Sequence, residues 1–487
     1  MRHPLRSGAS RAALLLALAA LAAPVASRAQ APDRTRPPAL GPAPALHLPP
    51  VQTATLPNGL RLAVVEMHKV PVVDISLILD AGSVDDPPDL PGLATFTANM
   101  LDEGAGRRSA LEVAEEADFL GASLSTYATF DLAGINLHVP TRRLGPALDL
   151  MADVVLRPTF ADSEITRQRD LRRTQILQQR DQPVQMANLA FPAILFGAQH
   201  PYGRPLNGTE ASTALLSRER VADFYRTWYR PQDAKVLVVG DITLPEAQRL
   251  LAERFGAWER GSVPAVPAAP AVPAAPARTI YLVDKPGAAQ SVIRIGNVAV
   301  ARNSPDYFPL EVLNTILGGS FTSRLNQNLR ETHGYTYGAS SQFATRRMPG
   351  PFQAGASVQS AKTDSSLVEF LRELRRIRDE AVPQEELDKA KRYMTLGFPG
   401  NFETTQGAAA WFRDLLAYDL PLDYYDSYID RVNAVTAADV QRVARQYVDL
   451  DHFAIVVVGD RSQIEAGIRA LSEGPITIRD LWGQPVP

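Results

Sequence analysis

Two segments of this chain, more than two hundred residues apart, end in the same way. Tyr229-Arg-Pro-Gln-Asp-Ala-Lys-Val-Leu-Val-Val-Gly240-Asp241 closes one half, and Tyr447 to Val458-Gly459-Asp460 closes the other. Each apolar run before Gly-Asp has the length of a buried strand, and each is followed by a helical stretch, residues 245–255 and 461–471. An amphipathic helix precedes each run; the second opens at Thr436-Ala-Ala-Asp439, a start resembling a capping box. A repeat of this size requires both halves to bury the same set of elements, so it constrains the fold more than any single motif.

The halves also begin alike. Residues 61–65 and 73–79 in the first, and 280–283 and 292–295 in the second, read as strands. Long helical patterns follow, such as 110–120 and 146–155, then alternating runs such as 133–139. Strands and helices therefore mix within each half. The expected class is α+β, with two homologous domains of about 210 residues, each a mixed sheet with helices packed on one face.

Between the halves Pro recurs at 264, 267, 270, 273 and 276. A period of three matches polyproline II, so residues 263–277 read as a stiff spacer of about 45 Å. The expected organisation is a first domain over 51–262, a linker over 263–278 and a second domain over 279–487. At the N-terminus Arg2, Arg6 and Arg11 precede an apolar run over 12–23, then Pro24 and the small-residue site Ser27-Arg28-Ala29. That order predicts a secretory signal over 1–29 and export to a bacterial periplasm. Twelve apolar residues reach about 18 Å, short of the roughly 30 Å of a bilayer core. No later run is long enough to span, and 30–50, rich in Pro and Ala, reads as a flexible lead-in.

Composition removes several chemistries. There is no Cys, which excludes disulfides, thiolate nucleophiles and thiolate metal sites together. No two of the 7 His lie within five residues of each other, so a helical pair of zinc-binding His is absent. A net charge of −3 gives no electrostatic footprint for nucleic acid.

The opening Leu56-Pro-Asn-Gly-Leu-Arg61, then Ala81-Gly82-Ser83, then Pro91-Gly92-Leu93-Ala94 before a short helix, resembles the insulinase (pitrilysin) family of zinc peptidases, and so does the two-half repeat. The resemblance covers about residues 51–473 and implies two processing-peptidase-type domains arranged as a clamshell. In active members the helix after Gly-Leu-Ala carries H-x-x-E-H, with a third zinc ligand, a Glu, 74–77 residues downstream. Here the matching residues are Thr95, Phe96, Thr97, Ala98 and Asn99, and the downstream count reaches Gln175, with Gln168 at the neighbouring acidic position. Neutral oxygens of Thr, Asn and Gln hold zinc poorly, so no metal site and no cofactor are expected in this chain.

In the second half, Gly318-Gly319-Ser320-Phe321-Thr322-Ser323-Arg324-Leu325 leads to Leu329-Arg330-Glu331 and Gly334-Tyr335-Thr336-Tyr337. This stretch looks like the family's C-terminal signature, in which an Arg and a Tyr seven residues apart reach toward zinc in the facing domain. Carried onto this chain they are Arg330 and Tyr337. A guanidinium suits peptide carbonyls, and a phenol suits a developing oxyanion. Gly318 and Gly319 read either as a flexible loop at the substrate chamber or as a turn between helices. Arg324 reads as a second substrate contact or a helix-face charge, and His333 and Tyr335 as surface or packing residues.

In part of the family the metal and the Arg/Tyr pair are split between subunits. The resemblance thus implies a non-catalytic subunit that binds extended or unfolded peptide and pairs with a zinc-bearing homologue. The competing expectation is a peptide-binding or scaffolding protein of the cell envelope with no peptidase activity.

Overall fold

The computed structural model describes residues 46–264, 272 and 277–486. The signal, most of the lead-in and most of the proline-rich linker read from the sequence lie outside the described residues.

Each half contributes a six-stranded mixed sheet. The first has the order β1-β2-β6-β3-β5-β4 and the second β12-β7-β11-β8-β10-β9. Strands β1 (Gln52–Thr55), β2 (Arg61–Glu66), β3 (Val72–Leu79), β4 (Ser123–Ala128), β5 (Ala133–Pro140) and β6 (Ala234–Gly240) belong to the first half. Strands β7 (Thr279–Asp284), β8 (Gln290–Val300), β9 (Thr336–Phe343), β10 (Gly350–Gln359), β11 (Ala454–Gly459) and β12 (Ile476–Arg479) belong to the second.

Five strands of each sheet superpose in role. The closing strand of each half, β6 or β11, runs parallel to the opening strand, β2 or β7, and antiparallel to the next, β3 or β8. The matching Gly-Asp ends of β6 and β11 are explained locally. Gly240 has φ 144, and a Cβ there would sit 2.3 Å from the Val72 carbonyl oxygen. Asp460 caps the Arg461–Ala470 helix, accepting from Ser462 N at 3.1 Å. The expected capping box also forms: Thr436 Oγ1 accepts from Asp439 N at 3.1 Å, and Asp439 Oδ2 from Thr436 N at 2.9 Å.

The continuous apolar runs of β6 and β11 follow from burial on both faces. In β6, Val236 and Val238 join the core of the first half, while Leu237 and Val239 join a core made mostly by the second. In β11, Ile455 and Val457 face the helices of their own half, while Val456 and Val458 meet Met186, Ala187, Ala190 and Phe191. Those four lie on the Pro183–Phe196 helix of the first half, which packs on β8 and β11. Reciprocally, the Thr405–Ala417 helix of the second half packs on β3 and β6. The two helices hold equivalent places in the repeat, so the domains exchange one helix each. Polar contacts reinforce the exchange: buried Lys235 donates to Leu416 O at 2.5 Å and to Asp419 at 2.6 Å.

Candidate functional site

The degenerate motif lies on the Leu93–Asn99 helix, which packs beside the edge strand β4. Buried Asp86 starts this helix, accepting from Gly92 N and Ala94 N at 2.7 Å each. Burial pushes the Asp86 carboxyl up to about 7.

The side chain that fills the space beside the motif is Arg172, only 4% exposed. Its Nη1 donates to Gly92 O at 2.8 Å and to Thr95 Oγ1 at 3.0 Å. With its amide oxygen turned inward, Asn99 accepts from Arg172 Nη2 at 3.2 Å and donates to Thr95 O at 3.1 Å. Thr95 Oγ1 in turn has the carbonyls of Gly92 and Leu206 within 3.0 and 3.1 Å. The guanidinium also lies 5.0 Å from the centre of the Phe96 ring. Burial lowers its pKa to about 10, which leaves it cationic at neutral pH. Ala98, where the resemblance places a general base, is fully buried and supplies only a methyl group.

These residues do not fit zinc. A guanidinium already bonded to Thr95 and Asn99 puts a fixed positive charge where a dication would have to bind. No cluster of three or more His, Asp or Glu exists among the described residues.

Gln175 and Gln168 are not part of this arrangement. Gln175 is exposed, and Gln168 bonds to Glu103. Counting along the sequence therefore lands almost one helical turn beyond the residue that reaches the motif. The periodicity of the Asp162–Gln179 helix carried the missing signal, because its buried positions are Ile165, Arg172 and Ile176.

The second half presents a contrasting surface in the equivalent place, beside the edge strand β9. Two short π-helical segments, Thr315–Gly319 and Asn326–Thr332, flank a turn whose tip, Phe321 and Thr322, is exposed. Such segments are rare and are found disproportionately at functional sites. Arg330 lies on the second, half-buried, with its Cζ 4.2 Å from the centre of the Phe321 ring and its Nε 3.4 Å from Glu331. Tyr337 sits in β9 at a bulge: Ala339 pairs with Ala356, but Thr336 pairs with Val358, so Tyr337 and Gly338 together oppose Ser357. The bulge turns the ring outward to 92% exposure, and its hydroxyl has no partner among the described residues.

Asn326 ties the parts together. Its Nδ2 donates to Ser320 O at 3.2 Å, and its Oδ1 accepts from Ala339 N of β9 at 3.0 Å. Gly318 and Gly319 belong to the first π-helical segment, and a Cβ on Gly318 would lie 2.3 Å from Ser341 N. Arg324 is a structural residue instead of a solvated charge: it is buried, and its Nε and Nη2 donate to Glu386 at 2.8 and 2.6 Å. His333 and Tyr335 stack on each other with ring centres 4.9 Å apart.

Comparison with known proteins places this geometry. Residues 61–210 match the family described as insulinase (peptidase family M16), and residues 215–394 match the peptidase M16 inactive domain. An uncharacterized zinc protease of Mycobacterium bovis is 32% identical over 295 residues, 60% of this chain and 67% of that protein. The chain belongs to the insulinase family, peptidase family M16. A zinc protease of the same description from Mycobacterium leprae is 31% identical, and the alignment spans 63% of its length and 58% of this chain. Among solved M16-type structures, a peptidase M16 inactive domain from Pseudomonas fluorescens matches with TM-score 0.79 and 27% identity, covering 84% of this chain and 97% of that one. A protease from Helicobacter pylori shares the fold, with TM-score 0.80 and 21% identity over 85% of this chain and all of that one. The two α+β domains thus form the clamshell characteristic of M16 proteins.

Proposed function

We propose that this chain is the non-catalytic, substrate-binding subunit of a heterodimeric M16 zinc peptidase in the periplasm. It would supply Arg330 and Tyr337 to the zinc site of a homologous partner and bind extended peptide between the two subunits. The observation that carries this reading is the asymmetry between equivalent places in the repeat. In the first half a buried guanidinium fills the metal position, whereas in the second a phenol with a free hydroxyl is turned outward by a bulge.

On this reading Arg330 holds peptide carbonyls through its fork of donors, with its guanidinium backed by Phe321. The Tyr337 hydroxyl donates to the oxyanion that develops at the scissile carbonyl, an interaction worth about 3 kcal/mol. Export through the N-terminal signal would bring the subunit to its partner in the periplasm, and zinc would be held by that partner alone.

The test is to purify the chain alone and together with a zinc-bearing M16 homologue from the same cell and to assay both on unfolded protein. The mixture should cleave, and Tyr337→Phe should lower its kcat by about a hundredfold. Peptidase activity from the isolated chain, or a Tyr337→Phe mixture as active as wild type, overturns the proposal. Peptide binding without cleavage in every mixture would favour the scaffolding alternative.

A further inference from the structure

The face of the first sheet that receives the Thr405–Ala417 helix changes character along its length. At one end Ile78, Leu132 and Ala417 form a small apolar cluster. At the other, three neighbouring strands put six polar side chains into a grid of two rows. Asp74 of β3 pairs with His138 of β5, which pairs with Ser123 of β4; in the next row Ser76 pairs with Asn136, which pairs with Ser125.

The helix from the second half opposes this grid with small Ala409 and Ala410 instead of bulky residues, leaving a cavity of about 230 Å3 into which Gln406 and Arg413 also project. That volume is below the range of drug-sized ligand pockets, so an occupant must be small.

Each of the two charges in this cavity is incompletely paired, and the two are of opposite sign. Asp74 is only 7% exposed; His138 Nδ1 lies 2.9 Å from its Oδ1, while its Oδ2 is buried without a partner. A buried carboxylate oxygen with no donor is costly and signals a missing partner. Arg413 has no carboxylate partner among the described residues and lies 5.8 Å from the Tyr127 ring. Of the remaining lining residues, Ser76, Ser123, Ser125, Asn136 and Gln406 are neutral donors and acceptors, and Ile75 and Leu137 are apolar.

We infer that this cavity between the domains binds a small zwitterion of the α-amino acid class, its ammonium at Asp74 and its carboxylate at Arg413. The hydroxyls and amides of the grid satisfy the rest of the ligand. Such a site is separate from the Arg330/Tyr337 surface and does not depend on the function proposed for it.

Calorimetric titration of the full chain with glycine and with L-serine tests this. Ethanolamine and acetate, each carrying one of the two charges, serve as comparisons. The amino acids should bind at millimolar concentration or below, and each single-charge probe at least about tenfold more weakly. Asp74→Asn and Arg413→Gln should each weaken amino acid binding by about tenfold or more, while Arg330→Gln leaves it unchanged. Should either cavity variant fail to fold, Ala410→Leu, at an exposed helix position, fills the cavity without removing a charge and should abolish binding. The inference is overturned if neither amino acid binds at millimolar concentration, if the single-charge probes bind equally well, or if folded Ala410→Leu binds like wild type.

Discussion

Arg172 shows how one side chain changes what a site can do. It donates to a backbone carbonyl, to Thr95 and to Asn99 from a nearly dry position, and hydrogen bonds to a buried charge are worth about 1.5–3 kcal/mol each. Restoring the two His, as Thr95→His with Asn99→His, should therefore yield no bound zinc while Arg172 remains. Adding Ala98→Glu and Arg172→Glu should allow roughly one equivalent per chain, measured by elemental analysis after dialysis. Asp86 supplies a second test at this scale. Its folded pKa of about 7 lies above the ordinary 3.8, so the native state holds more protons than the unfolded one between these values. Stability from this group is complete below about pH 4 and is lost as pH rises through about 7. Asp85, raised to about 7, and Asp102, raised to about 6, both by burial, act in the same direction. Melting temperatures should fall from pH 5 toward pH 8, and Asp86→Asn should flatten part of that slope.

At the scale of elements, the segment from Thr315 to β9 is a fitted unit. Gly318 touches the backbone of β9, whereas a Cβ on Gly319 would first meet the side chain of Asn314, at 2.7 Å. Gly318→Ala has to displace a strand, and should cost about 1–3 kcal/mol in chemical unfolding. Gly319→Ala has to move the Asn314 side chain and crowds the Asn314 carbonyl oxygen only at 3.0 Å, so it should cost less. These outcomes separate a packed glycine from a flexible one. The sequence offered a loop or a turn for this pair, because neither a π-helical segment nor a bulge leaves a periodic signature. Arg330 and Tyr337 are legible through the resemblance to a family signature, not by spacing alone; the outward turn of Tyr337 depends on one extra residue in β9, visible only against the pairing of β10.

At the scale of the whole molecule, each domain buries a sheet face under a helix that belongs to the other. Separate expression of residues 46–262 and 277–487 should give insoluble or molten chains, since each would expose an apolar sheet face. Coexpression should recover a soluble complex, and the intact chain should melt in a single calorimetric transition. Phe191→Ala, at the centre of one exchanged helix, should lower stability by about 3–5 kcal/mol in urea titration.

The sequence by itself determined the repeat, the α+β class and the inner strands β2, β3, β5, β6, β7, β8 and β11, but not β1, β4, β9, β10 or β12. These follow from local patterns: apolar periodicity, capping residues and the recurrence of the same run in both halves. Only the tertiary structure decided which side chain packs against Thr95 and Asn99, because Arg172 reaches Thr95 across 77 residues of chain and helical rotation, not residue count, selects the side chain that points inward. It alone decided the helix exchange as well. An apolar helix face states that it will be buried, but not against which of the two homologous sheets.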